Sequence, residues 1–180
     1  VPGVGLAPFT YTSMPDEKGR FNALIRKVGR LTESLFLLKE GDVLGYSGPF
    51  GSGWPVDQFE DKQVLIVAGG CGLAPVATTI DYLISNKRSK SVTLLYGARD
   101  LDSQVLKKER ARWQTKIKLC ETLDEGAANE NSGLPTQHLS QRLKEIDGLP
   151  IIVLTCGPEA MMEAVAKTCL ELGLKSSDIW

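Results

Sequence analysis

Val67-Ala68-Gly69-Gly70-Cys71-Gly72-Leu73-Ala74-Pro75 decides how this chain is read. It closes the continuous apolar run Gln63–Ala68 (QVLIVA), which reads as a strand buried on both faces. It opens a segment, Pro75 to Ser85, expected to be helical. Glycines at such a junction let the backbone come close to a pyrophosphate, and the exposed N–H groups and dipole of the helix favour the anion. Pro75 suits a first helical turn, where its missing N–H costs nothing. The spacing is G-x-G-x-x-P rather than G-x-G-x-x-G, so a tight turn in some other α/β fold stays open on these residues alone.

Outward from this turn, a strand–helix rhythm runs from Lys62 to the end. Val92–Gly97, Ile117–Cys120 and Ile151–Thr155 read as further strands, and Asp102–Trp113, Gln137–Ile146 and Glu159–Leu172 as helices. In the last helix Met162, Val165, Cys169 and Leu172 fall on one face. Repeated units of this kind imply a parallel sheet with right-handed crossovers. Asp124 to Pro135 reads as a polar surface loop. The single histidine, His138, sits at a helix start that Thr136 is expected to cap, a poor place for catalytic duty. Upstream the texture is different. Pro8–Thr12, Phe21–Val28 and Asp42–Ser47 read as short strands around two helical turns at Leu31–Leu38, the spacing of a small antiparallel barrel too short to close alone.

Composition narrows the classes. A length of 180 residues, 42% of them hydrophobic, supports one good core or a core with a smaller partner module. A net charge of −1 argues against a nucleic-acid-binding surface. No apolar run approaches the roughly 20 residues of a membrane span, and VPGVGLAP lacks the pattern of a secretory leader. The four cysteines show no C-x-x-C spacing, so no metal site is expected here, and free thiols in a reducing, cytoplasmic compartment fit best. Both ends read as cut, with a new strand expected to begin after Gly173.

Two further motifs lie at carboxyl ends of expected strands, where open parallel sheets bind ligands. Thr155-Cys156-Gly157-Pro158 would flank the crevice beside Gln63–Ala68, with Cys156 opposite Gly70 and Gly72; a buried thiol before a proline-started helix is the plainer reading. Tyr96-Gly97-Ala98-Arg99-Asp100 ends the second strand, where the ribose 2′ position of a dinucleotide is read by a carboxylate or an arginine. A solvated Arg99–Asp100 pair capping the next helix is equally open.

Glycine turn, strand-end Y-G-x-R and C-G-P, in this order and spacing, resemble the nucleotide domain of the ferredoxin–NADP reductase superfamily. The resemblance extends upstream and covers essentially the whole chain. Ala7-Pro8-Phe9-Thr10 is similar to that family's flavin motif, with alanine in place of its arginine; Gly29-Arg30-Leu31-Thr32 to its flavin-pyrophosphate segment; and Gly48-Pro49-Phe50-Gly51 to the turn that closes its flavin domain. Arg26 to Pro55 looks most like the flavoprotein subunits of soluble NAD(P)-linked hydrogenases and sulfur reductases, with the electron-transfer subunit of dihydroorotate dehydrogenase a near relative. The resemblance implies a β-barrel fragment of an FAD domain over residues 1–55. A parallel-sheet, Rossmann-like NAD(P)-binding domain would follow over residues 56–180.

What it implies chemically is hydride transfer between NAD(P)H and FAD, with electrons passed on to an iron–sulfur or hydrogenase-type subunit in a hetero-oligomer. A [2Fe–2S] cluster would lie outside this stretch. Phe9 would pack on the flavin, Thr10 would hydrogen-bond near its reacting nitrogen, and Tyr11 and Thr12 belong to the same segment. Gly29 and Thr32 would hold the flavin pyrophosphate, with Arg26 or Lys27 supplying the charge missing at Ala7 unless these cations are simply solvated. Gly48 would border the flavin, as would Phe50 and Trp54, for which packing between domains is equally open. Gly69, Gly70, Gly72, Leu73, Ala74 and Pro75 would hold the nucleotide pyrophosphate, Arg99 and Asp100 its adenosine end, and Cys156, Gly157 and Pro158 its nicotinamide. Two other classes remain: a non-catalytic nucleotide-sensing module of a larger complex, and a methyltransferase-like domain. The second leaves C-G-P and the upstream motifs unexplained.

Overall fold

The computed structural model describes residues 5–125, 132–146 and 150–180. Its frame is a parallel sheet of four strands, β1 (Gln63–Gly69), β2 (Ser91–Ala98), β3 (Lys118–Leu123) and β4 (Ile151–Cys156), in the order β3-β2-β1-β4. The chain order reverses between β1 and β4. Helices α2 (Ala74–Asn86), α3 (Lys107–Trp113), α4 (Pro135–Glu145) and α5 (Glu159–Glu171) make the crossovers. The chain runs on past α5 so that Ile179 bridges Val153 in parallel, with Trp180 N–H donating to the Val153 carbonyl at 2.9 Å.

Because strand side chains alternate, the sheet divides its apolar residues between two cores. Val64, Ile66, Leu94, Tyr96, Ile152 and Leu154 face one side, where Val76, Ala77 and Ile80 of α2 and Trp113 of α3 cover them. Leu65, Val67, Leu95 and Val153 face the other, under Leu139 and Leu143 of α4 and Val165 and Cys169 of α5. Two covered faces explain the unbroken apolar run of β1, which is buried from Val64 onward. The expected face of α5 is half realised: Val165 and Cys169 are fully buried, whereas Leu172 lies past the helix end and is exposed.

Three expectations need correction. The third helix starts at Lys107 rather than Asp102, because Asp100 Oδ1 accepts the Ser103 N–H at 2.7 Å in a turn and Leu106 adopts φ +53°, which interrupts helical geometry. Thr136 is not the cap of α4. Leu134 holds that position, and Gln137 Oε1 reaches back to the Leu134 N–H at 3.2 Å. Upstream, none of the described residues before Gln63 forms a strand. Tyr11 and Ala23 make one antiparallel bridge, and α1 (Arg30–Leu35) supplies the expected helical turns. Pro8–Thr12, Phe21–Val28 and Asp42–Ser47 otherwise lack the paired neighbours that turn an extended segment into a strand. Part of the expected polar loop, residues 126–131, and the first four residues of the chain lie outside the described residues.

Trp113 ties α3 to the sheet. Its ring is fully buried, and its Nε1 donates to Asp81 Oδ1 on α2 at 2.7 Å. Trp113→Ala is expected to lower stability by about 3–5 kcal/mol in urea unfolding, with Trp113→Phe well short of that.

Candidate functional site

The chain order reverses between β1 and β4, and the glycine turn lies at the carboxyl ends of these two strands, the place where open parallel sheets bind ligands. Gly70–Leu73 forms a single 3-10 turn leading directly into α2. Its two inner glycines are needed for different reasons. Gly70 has φ +52° with open space where a side chain would stand, so its backbone conformation selects glycine. Gly72 has an ordinary backbone, but a Cβ there would come 2.2 Å from the Cys156 carbonyl oxygen and 2.7 Å from the Gly157 Cα. Gly69, the last residue of β1, is held as closely: a Cβ would stand 2.8 Å from Met161 Sδ and 3.0 Å from Pro158 Cδ. The turn and the Cys156-Gly157-Pro158 segment therefore pack backbone against backbone.

Past the turn, α2 has no side-chain cap and no acidic residue in its first turn, and Pro75 stands among its first residues. The positive end of the helix dipole is thus left without a protein anion, a setting that suits a negatively charged ligand. Leu73 and Ala74 are buried in the core, so only their backbone is available to a ligand. The Pro75 carbonyl accepts the Trp54 indole N–H at 2.7 Å, and the Trp54 ring packs on the same core.

Cys156 pairs with Ala68 across β1 and β4 and is half-buried. Burial pushes its thiol pKa up, so at neutral pH the group stays protonated. Cys169, buried under α5, is pushed up to about 11, again by burial. Cys71, in the turn itself, is exposed, and all four cysteines are free.

At the end of β2, Gly97 pairs with Gly69, so the Arg99 segment follows at the same edge of the sheet. Arg99 is exposed, with Nε 3.4 Å from Asp100 Oδ2. Asp100 is already engaged: the Ser103 hydroxyl, then the Ser103 N–H, with Arg99 beside them, hold its carboxyl below the usual carboxylate range. The strand-end pair thus closes a turn as well as facing solvent.

The upstream residues are less gathered. Phe9, Thr10, Arg26 and Phe50 are exposed, Phe50 at 84%. Tyr11 sits in a ring cluster, its centroid 4.2 Å from that of Phe21, and its hydroxyl is hydrogen-bonded to that of Tyr46. Thr12 is buried, and its backbone N–H donates to the Asn22 carbonyl at 2.8 Å. Thr32 Oγ1 accepts N–H groups of Val28 and Gly29 and donates to the Gly29 carbonyl, so the hydroxyl is occupied in starting α1. Gly48 has φ +139° and packs near the Tyr46 hydroxyl. Sequence reasoning missed Met161, the side chain that closes over both Gly69 and Gly157, because nothing local marks it.

Residues 66–167 match the oxidoreductase NAD-binding domain family. The chain belongs to that family, in the ferredoxin–NADP reductase superfamily. Within this superfamily it is 30% identical to the sulfhydrogenase 1 subunit gamma of Pyrococcus furiosus, over 100% of this chain and 63% of that protein. It is 32% identical to a probable dihydroorotate dehydrogenase B (NAD(+)) electron transfer subunit of Methanocaldococcus jannaschii, over 97% of this chain and 61% of that one. Among solved structures, the CS-b5R domains of human Ncb5or in the NAD+ form superpose with a TM-score of 0.83 at 20% identity, covering 100% of this chain and 57% of that one. That likeness establishes the shared fold. The chain spans between 61% and 66% of the length of these and one further curated relative, the sulfhydrogenase 2 subunit gamma of Pyrococcus furiosus.

The two glycines make separable predictions. Gly70→Ala meets no atom, so its cost is the left-handed backbone alone, about 1–2 kcal/mol. Gly72→Ala must displace the Cys156–Gly157 backbone, so a loss of about 1–3 kcal/mol is expected together with a disturbed β4 end. Thermal melts, with amide exchange at Cys156 and Gly157, separate the two. Undisturbed exchange there in Gly72→Ala would show that the close approach carries no constraint.

Proposed function

We propose that this chain carries the NAD(P)H site and part of the FAD site of an electron-transfer flavoprotein, which moves a hydride between nicotinamide and flavin. The observation that carries the reading is the uncapped start of α2 behind a glycine turn, at the carboxyl ends of the strands where their order reverses. Residues 56–180 would be the nucleotide domain, and residues 1–55 part of a flavin-binding barrel. Gly70 and Gly72, with the first N–H groups of α2, would hold the pyrophosphate. Arg99 would meet the adenosine end, its charge the freer of the pair because Asp100 is drawn into the turn.

Cys156, with Gly157 and Pro158, would lie beside the nicotinamide. A protonated, half-buried thiol adds no negative charge there and offers a short, polarizable surface for positioning the ring. In the flavin part, exposed Phe9 and Thr10 fit a planar ring that needs an aromatic neighbour and a hydroxyl donor. Gly29 would contribute backbone, whereas Thr32 acts by shaping the start of α1. Arg26, exposed, remains available for the charge missing at Ala7. The isoalloxazine supplies the two-electron to one-electron conversion when bound; the chain supplies orientation and exclusion of water.

Relatives named as sulfhydrogenase gamma subunits and dihydroorotate dehydrogenase electron transfer subunits support an iron–sulfur or hydrogenase-type partner in a hetero-oligomer. A [2Fe–2S] cluster would be held outside these 180 residues. Among the described residues no helix is long and apolar enough to cross a membrane. The free cysteines support a reducing, cytoplasmic setting.

The deciding experiment is anaerobic titration of the full-length, FAD-reconstituted protein with NADH and then NADPH. Bleaching of the flavin by at least one is expected, and a folded, FAD-loaded protein that neither nucleotide bleaches overturns the reading. In the same assay Cys156→Ala is expected to slow reduction while leaving nucleotide affinity within a few-fold, because the binding energy lies at the pyrophosphate and adenosine ends. An unchanged rate assigns Cys156 to the core alone.

A further inference from the structure

The loop from Arg99 to Leu106 carries the two charged side chains assigned above to the adenosine end, and it is fixed from below. Tyr96, fully buried in β2, accepts the Val105 N–H at 3.0 Å. Arg110 of α3 is 5% exposed. Its Nε donates to the Val105 carbonyl at 2.9 Å and its Nη2 to Gln104 Oε1 at 3.2 Å. Its Nη1 pairs with Glu121 of β3, and the guanidinium carbon lies 5.2 Å from the centre of the Tyr96 ring. Both backbone polar groups of Val105 are thus taken by buried side chains from two different elements. The next residue, Leu106, holds φ +53°, which a branched side chain adopts only where its surroundings enforce it.

Burying a guanidinium under a surface loop is costly, and a core has no need of one. Among the described residues, the hydrogen bonds of the Arg110 guanidinium are directed at the loop or at the carboxylate that neutralises it. Glu121 stands opposite Tyr96 in the β2–β3 register, so the three side chains share one face of the sheet beneath the loop.

We propose that buried Tyr96 and Arg110, with the half-buried Glu121, form a clasp that positions Arg99 and Asp100, and so sets affinity and 2′-selectivity for the adenosine half of the nucleotide. This rests on the nucleotide-site reading given above. The three are positioning residues, acting through the loop rather than on the ligand.

The test compares the full-length, FAD-loaded parent with Tyr96→Phe, Glu121→Gln and Arg110→Met. Flavin bleaching is followed by anaerobic stopped flow with NADH, NADPH and reduced nicotinamide mononucleotide, which has no adenosine half. Tyr96→Phe keeps the ring and removes only the acceptor for Val105. In the variants the Kd for NADH and NADPH is expected to rise about three- to tenfold, with the ratio between them shifted at least about twofold. The limiting reduction rate, and both binding and rate with the mononucleotide, should match the parent. Equal weakening of all three donors reduces the clasp to a general fold element and overturns the proposal, as does unchanged affinity in Tyr96→Phe and Glu121→Gln. If Arg110→Met fails to fold, those two variants decide. A parent that none of the donors bleaches overturns the nucleotide reading itself, and the clasp with it, a result distinct from normal bleaching that the variants leave unaltered.

Discussion

Between the 3-10 turn after β1 and the end of β4, two stretches of backbone approach so closely that a methyl group on Gly72 would come 2.2 Å from the Cys156 carbonyl oxygen. Most of the architecture at this edge of the sheet follows from this contact. Strands β1 and β4 are neighbours whose following helices rise on opposite faces, α2 on one and α5 on the other. A turn with side chains would hold these helix starts apart. Glycine at positions 69, 72 and 157 lets them converge, with Met161 filling the remaining space. The convergence brings an uncapped helix start and a half-buried thiol to one edge of the sheet.

The parallel sheet was legible because both of its faces are covered, which leaves the unbroken apolar signature of β1 and β4 in the sequence. Helix α3 was less so. The charged segment from Asp102 looks helical in composition, but Asp100 turns back on Ser103 and Leu106 is forced into left-handed geometry by its buried neighbours. Those neighbours come from other elements, so no local pattern announces them. The upstream strands failed for the opposite reason. Phe21–Val28 and Asp42–Ser47 have strand-like composition, but a strand is a relation between segments. Among the described residues the only strand-type pairing they make is the bridge of Tyr11 to Ala23 with its neighbouring Thr12–Asn22 hydrogen bond.

The site was legible where chemistry and backbone coincide. Gly69, Gly70 and Gly72 stand out because only glycine satisfies the geometry, although the reason differs from one to the next. It was illegible where a polar side chain serves the fold. Thr32 is expected from the resemblance to hold the flavin pyrophosphate, yet its hydroxyl starts α1; Arg110, one of several cations in a charged segment, carries no local signal, yet it is among the most buried polar residues described. In both cases a backbone group is among the hydrogen-bonding partners, which sequence cannot specify.

Trp54 joins the two textures of the chain. Its indole donates to a carbonyl in the first turn of α2 while its ring shares the core beneath that helix. A hinge placed upstream of Trp54 would leave the helix start undisturbed, whereas one placed after it would have to expose the indole and break its bond. The segment from Trp54 to the fully buried Phe59 is therefore anchored to the start of α2, and the positive-φ glycines Gly48, Gly51 and Gly53 all lie upstream of that anchor.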